Sequence, residues 1–368
     1  MSTDWNGVRN VLVMRLDNIG DVVMTGPALR ALKEALPGAR LTLMCSPAGA
    51  NAVPLLPWVD DVIVWRAMWQ QLGGGVCDPA REEELISLLR ERNFDAAVLL
   101  TSFSQTPHPA AVACLFAGIP LRLGESKERA PGLLTHEPPF PTDEAGHQAE
   151  RNLRLLETAG LPVRDRSLFI HISEEARERA AALMPEPYLL LNPFASCSAR
   201  TYPPEKAARA ARLIAEQVGL KVAVTGVEKD RERSQELLAE LGPIGVDLLG
   251  QTDLSAFAAL VARAQLVLTN NTSALHLADA TRTPVLVTYS GTDLDTQWQP
   301  RSAPFALLRR PTPCHPCYAF TCPFSLECLD FSPEEVVQVG LGLLQQPFRT
   351  TEGGLPDEAT ASHEAGHA

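Results

Sequence analysis

Val11-Leu-Val-Met-Arg15-Leu-Asp17-Asn18-Ile-Gly20-Asp21-Val-Val-Met-Thr-Gly-Pro27-Ala-Leu29 decides the fold. An apolar β-type run, Val8 to Met14, ends in a short polar loop. A helical pattern follows, with Leu29, Leu32 and Leu36 on one face until Pro37-Gly38 stops it. This is the first strand–loop–helix unit of a parallel α/β domain. Sheets of that kind bind ligands just past the carboxyl ends of their strands, which places Asp17, Asn18, Gly20 and Asp21 where chemistry happens. Gly20 allows tight backbone geometry, and Asp21 falls at or near the start of the helix. Asp21 therefore has two readings, a helix N-cap or a general base on a substrate hydroxyl.

Working outward, 368 residues suggest two domains, each with its own core. A hydrophobic content of 45% with 21% charged residues is ordinary for a globular protein. The net charge of −12 argues against a general nucleic-acid binder, which needs a basic surface. No signal-peptide pattern opens the chain, and no apolar run reaches the length of a membrane span. A cytoplasmic, reducing location is expected, so the eight cysteines are not presumed to pair.

Strand-like and helix-like segments alternate over residues 1–165 and again over 188–347, with a break at 166–187 read as an inter-domain linker. In the second series Tyr188–Asn192 reads as a strand, 204–218 as a helix, 228–241 as a helix and 273–280 as a helix, with 284–289 the last strand. A final helix is expected at 332–345 and a disordered tail at 348–368. Two Rossmann-like parallel-sheet domains facing each other across a cleft follow from this doubled βαβα rhythm.

Two further stretches carry polar groups at strand ends. Thr269-Asn-Asn271-Thr272-Ser273-Ala-Leu-His276 runs from a strand into a helix, whose free N–H groups and dipole make an anion site. The hydroxyls of Thr272 and Ser273 add donors, and His276 faces the same mouth, unless it is an ordinary half-buried histidine. Asn192-Pro-Phe-Ala-Ser196-Cys-Ser198-Ala-Arg200-Thr-Tyr-Pro203-Pro204 follows another strand. Arg200, with Ser196 and Ser198, suits a pyrophosphate, or else is a solvated loop arginine.

Taken jointly, the Gly20-Asp21 loop with Pro27, the Asn192-Pro193…Arg200…Pro203-Pro204 loop and the Thr269–His276 segment continuing to Thr283-Pro-Val resemble glycosyltransferase family 9, the heptosyltransferase-like enzymes. The similarity runs in the family's order from about residue 8 to about 337. The resemblance implies a GT-B fold with acceptor on the first domain and nucleotide-sugar donor on the second. It also implies inverting, metal-independent transfer without a cofactor, from ADP-heptose to a cell-surface glycan or glycolipid, with at most transient contact with the inner membrane surface. It makes Asp21 the base and sets Arg200, Thr272 and Ser273 on the donor phosphates. Asn271 stands where the family often has Asp, and Ser273 where it usually has Gly. Thr292 and Asp293, in Gly291-Thr-Asp, resemble the segment near the donor. Inverting transfer asks for one base on the acceptor side and stabilisation of a leaving diphosphate on the other, which these residues supply.

Other readings are a non-catalytic bilobal sugar-binding protein and a nucleotide-sugar epimerase. A nicotinamide oxidoreductase lacks the glycine pattern after the first strand. Cys314, Cys317, Cys322 and Cys328 have a spacing that suits a structural zinc staple in the loop 311–330, with free or redox-active thiols the preferred reading. His363-Glu-Ala-Gly-His367 matches a zinc-protease string but lies in the acidic tail and carries a helix-weakening glycine, so it is set aside.

Overall fold

The doubled rhythm is realised as two parallel sheets. The computed structural model describes residues 5–70, 78–128, 130–140 and 146–345. The first sheet holds β1 (Asn10–Arg15), β2 (Arg40–Cys45), β3 (Asp61–Val64), β4 (Ala96–Leu99) and β5 (Leu121–Gly124), in the spatial order β3-β2-β1-β4-β5. The second holds β6 (Tyr188–Asn192), β7 (Lys221–Val224), β8 (Gly245–Asp247), β9 (Leu266–Asn270), β10 (Val285–Thr288) and β11 (Phe305–Leu308), in the order β11-β10-β9-β6-β7-β8. β1, β4, β6 and β9 are almost wholly buried, because helices cover both faces of each sheet.

The covering helices are α1 (Ile19–Val23), α2 (Gly26–Ala35), α3 (Pro79–Glu91), α4 (His108–Phe116), α5 (Gln148–Thr158), α6 (Glu174–Leu183), α7 (Pro204–Val218), α8 (Gln235–Leu241), α9 (Leu254–Arg263), α10 (Ser273–Thr281) and α11 (Pro333–Leu344). Local chemistry sets their ends. α7 opens with Pro204 at its first position and stops at Gly219, whose φ of +71° suits only a residue without Cβ. Its buried stripe of Ala207, Ala208, Ala211, Ile214 and Ala215 is small, so it lies close on the sheet. No helix among the described residues is long and apolar enough to cross a membrane.

In both sheets the strand order reverses between two central strands, β1 and β4 in the first and β6 and β9 in the second. Chain leaving the carboxyl ends of such a pair diverges to opposite faces and opens a crevice. The Asp17–Asp21 loop follows β1, and the Arg200 loop and Thr272 follow β6 and β9. All three stretches singled out in the sequence therefore sit at a switch point.

Three expectations need correction. The helix read over 228–241 begins only at Gln235. Ahead of it, Glu228–Asp230 and Glu232–Ser234 are 3₁₀ turns, held by the Asp230 carboxylate accepting from Val227 N at 3.2 Å. The stretch 166–187 is no plain linker, since α6 lies within it, capped by Ser173 and packed on α9. β10 is not the last strand, because the short edge strand β11 pairs with it in parallel. The tail from 348 and the His363–His367 string lie outside the described residues.

The two sheets' coverings meet. One apolar cluster runs from Val11, Val13, Val22 and Val23 through Leu55 and Leu56 to Phe257, Leu275 and Leu277. α1 of the first domain lies against α10 of the second, so the cleft is closed along this seam.

Candidate active site

Arg15 ends β1 and is fully buried, and a buried guanidinium must find opposite charge. It finds two carboxylates: Nε lies 2.9 Å from Asp17 Oδ2, and Nη2 lies 2.8 Å from Asp21 Oδ1. The same Nη2 donates to Ser102 Oγ at 2.8 Å. Asp21 occupies the third position of α1, and its Oδ2 accepts from Asn18 N at 3.2 Å. The capping and chemical readings of Asp21 thus coexist: its carboxylate closes the helix start yet keeps a 16% exposed side chain and a second lone pair on each oxygen. Asp17 turns inward, with Oδ1 accepting from Gln105 Nε2 at 2.5 Å. Burial raises the Asp17 pKa, Arg15 pulls it back, and the neighbouring Asp21 charge raises it further. Asn18 is exposed.

Across the seam, α10 starts at Ser273 with Thr272 as its cap, whose Oγ1 accepts from Ala274 N at 3.2 Å. That hydroxyl also lies 3.3 Å from Asn192 Oδ1 and 3.0 Å from Thr269 Oγ1, which locks the helix start to the end of β6. Asn271 Nδ2 donates to Tyr289 Oη at 3.3 Å, and Ser273 is half-buried. Arg200 reaches the next loop, with Nε 3.1 Å from Thr292 Oγ1 and Nη2 2.9 Å from Asp293 Oδ2. The second of these is an ion pair, so Asp293 holds the guanidinium in place by one edge. Ser196 is exposed on the same loop. The structure thus brings Arg200, Thr292 and Asp293 together and places Asn271, Thr272 and Ser273 at the neighbouring strand end.

His276 joins the two halves rather than facing an open mouth. It is buried on α10 with its ring over Gly20 of α1: a Cβ built on Gly20 lies 2.6 Å from His276 Cδ2. Gly20 is helical here, and its lack of a side chain serves this close approach. Burial pushes the His276 pKa down to about 4, so a neutral ring fills the seam and brings no positive charge to a phosphate. Gly20→Ala is expected to wedge α1 from α10 and lower the stability by about 1–3 kcal/mol, the usual cost of overpacking, read as a lower denaturation midpoint. An unchanged midpoint in that variant would show that the ring yields freely.

Beside it, His147 caps α5 through Nδ1 and pairs through Nε2 with the Gln299 carbonyl of the second domain at 2.9 Å. Burial, with Arg301 and His276 nearby, lowers its pKa to about 4. Asp279, on α10, accepts through Oδ1 from the backbone N–H groups of Arg301, Ser302 and Ala303 at 2.9, 2.7 and 3.0 Å. Arg301 in turn pairs with Glu150 of α5.

The cysteine-rich loop is a wall of this site. Cys317 N donates to Gly291 O at 3.0 Å, Tyr318 N to Thr292 O at 2.9 Å, and Ala199 N to Phe320 O at 3.2 Å. It therefore ties the Arg200 loop to the Thr292 loop through backbone. Among the described residues no group of three or more His, Cys, Asp or Glu is arranged to hold a metal ion. Cys314 and Cys317 are exposed, Cys322 is partly so, and Cys328 is buried, with its thiol pKa raised by that burial.

Arg15, Ser102, Gln105 and His147 are the participants that sequence reasoning missed. The available signal was an arginine closing an otherwise apolar central strand, with aspartates two and six residues after it.

A model of glycosyltransferase family 9 (heptosyltransferase) matches residues 83–327, well over half of the chain. The chain belongs to glycosyltransferase family 9. Within the family, it is 28% identical over 303 residues to lipopolysaccharide heptosyltransferase 2 of Salmonella typhimurium, covering 77% of this chain and 84% of that one. Among solved structures, ADP-heptose LPS heptosyltransferase II of E. coli superimposes with a TM-score of 0.71 at 24% identity, covering 92% of this chain and 99% of the other. E. coli heptosyltransferase WaaC with ADP gives 0.66 at 18% identity, over 91% and 99%. These structures establish the shared two-domain α/β fold, and family membership makes the chain a glycosyltransferase enzyme.

Proposed function

We propose that this enzyme transfers a heptose from ADP-heptose to a hydroxyl of a lipopolysaccharide-type acceptor, with inversion at the anomeric carbon and without a metal. The names of its relatives, a lipopolysaccharide heptosyltransferase and a homologue solved with ADP, support the substrate class. One observation carries the mechanism: the helix bearing Asp21 packs directly on the helix start that would hold the donor, Gly20 against His276. Asp21 takes the acceptor proton as the hydroxyl attacks the anomeric carbon. The C–O bond to the diphosphate breaks, and its negative charge is met by Arg200 and the N-terminus of α10. Asp293 and Thr292 hold two nitrogens of Arg200, and the remaining terminal nitrogen has no protein partner among the described residues. Asn271 and Ser273 lie where the sugar and diphosphate would be read.

Calorimetric titration with ADP, GDP, UDP and dTDP tests the donor half. ADP is expected to bind saturably and Arg200→Ala to weaken it about 10- to 100-fold, the range for loss of a charged hydrogen bond. Adding ADP-heptose with a heptose-deficient lipopolysaccharide core should then release ADP. Binding of none of the four nucleotides would end this reading.

A further inference from the structure

The groups around Asp21 form a closed ring that the transfer reaction does not by itself explain. Arg15 Nη2 donates to Ser102 Oγ at 2.8 Å, and Ser102 N donates to Gln105 Oε1 at 3.0 Å. Gln105 Nε2 donates to Asp17 Oδ1 at 2.5 Å, and an ion pair, Asp17 Oδ2 to Arg15 Nε at 2.9 Å, closes the ring. One Asp17 oxygen accepts the Gln105 amide, and the other faces the Arg15 guanidinium as an ion pair. The Gln105 amide is fixed in orientation, because its oxygen is taken by Ser102 N. Asp21 hangs from this ring by one bond, Arg15 Nη2 to Oδ1.

Building on the reading of Asp21 as the base, we propose that Asp17 and Arg15 are positioning residues: Asp17 anchors the guanidinium, and the guanidinium aims Asp21 and sets how readily it takes the acceptor proton. A lone buried arginine bonded to the base would hold it ionised and make it a poor proton acceptor. Here Arg15 pairs with both carboxylates, so its one positive charge is shared between Asp17 and Asp21 while the alignment is kept. The arrangement thus solves two conflicting demands, a fixed carboxylate and a receptive one.

The other charged groups nearby do not supply this balance. Arg151 of α5 is paired with Glu125 at 2.5 Å. His276, facing from α10, is neutral. Among the described residues Arg15 is the charged side chain bonded to Asp21 and Asp17 is the carboxylate sharing it, and the two act in opposite senses.

That opposition gives the test, a pH profile of kcat/KM whose acid limb reports ionisation of the base. In Asp17→Asn the whole Arg15 charge falls on Asp21, which stays ionised to lower pH, so the limb should move down by about one unit. In Arg15→Gln, Asp21 loses the guanidinium that favours its ionised form, so the limb should move up by about one unit. ADP titration of each variant checks that the second domain is intact. Limbs that coincide with wild type, or that move in the same direction, overturn the inference and leave the ring a structural device. Should a neutral variant fail to fold, Arg15→Lys and Asp17→Glu keep the charges and lose the geometry. For them kcat must fall with the limb in place, and wild-type kcat in both would equally overturn it. Failure of the base assignment is separate: a normally active Asp21→Asn variant removes that reading whatever the limbs do.

Discussion

Asp21→Asn is expected to lower kcat about a thousandfold, the scale of general-base catalysis, while ADP binds as in wild type. The asparagine oxygen still accepts from Arg15 Nη2, and Arg15 keeps Asp17, so the buried guanidinium is not left without a counter-charge. The side chain is isosteric and sits in the first turn of a helix whose burial comes from Val22 and Val23, so folding is retained. The capacity to take a proton is lost, together with the acceptor for Asn18 N, a partly exposed amide at the helix start. Single-turnover assays with ADP-heptose, compared with ADP titration, separate the two. Turnover within tenfold of wild type would mean that another group accepts the proton.

Asp279→Ala is expected to cost about 3 kcal/mol of stability, the upper range for losing a charged hydrogen-bond acceptor. One oxygen serves three successive N–H groups, of Arg301, Ser302 and Ala303, and Asp279 is 2% exposed. Ala303 is also buried, so its amide has no water to turn to. Denaturant unfolding should show a lower midpoint at unchanged slope, since the surface exposed on unfolding is the same. Asp279→Asn, which keeps an oxygen there, should cost about 1 kcal/mol. A midpoint that does not move would show that the 301–303 turn is held by its own packing.

Much of the fold was legible because each sheet is buried on both faces. Apolar runs such as Val11–Met14 and Leu189–Leu191 have no solvent face to alternate with, and Pro204 and Gly219 mark the helix between β6 and β7. α6 was not legible as a helix. Its sequence is Glu-, Arg- and Ala-rich, and only Ala176 and Ala180 are buried, so it carries no large apolar stripe. β11 escaped because it is four residues long and sits at an edge, with Phe305 exposed. In the 228–234 stretch, Asp230 draws the backbone into a local turn that competes with the helix.

The candidate site shows the same division. Asp21, Arg200 and Thr272 stand out because polar residues at strand ends are unusual in so apolar a context. What the one-dimensional pattern withheld was pairing across distance. Arg15 and Asp17 are close in sequence, yet Ser102 and Gln105 reach them only because β4 lies beside β1. Gly20 reads as a turn residue, and its use becomes visible only when a histidine more than 250 positions away packs on it.

α10 has two ends with different duties. Its first turn presents backbone N–H groups at the proposed donor position, and Asp279 near its last turn grips the 301–303 segment, whose Arg301 side chain reaches Glu150 on the other domain. With the donor bound as proposed, a helix shared in this way makes nucleotide binding and closure of the two domains linked equilibria. Whatever factor closure contributes to nucleotide affinity, the nucleotide returns to closure, because the coupling free energy belongs to the pair and not to either event.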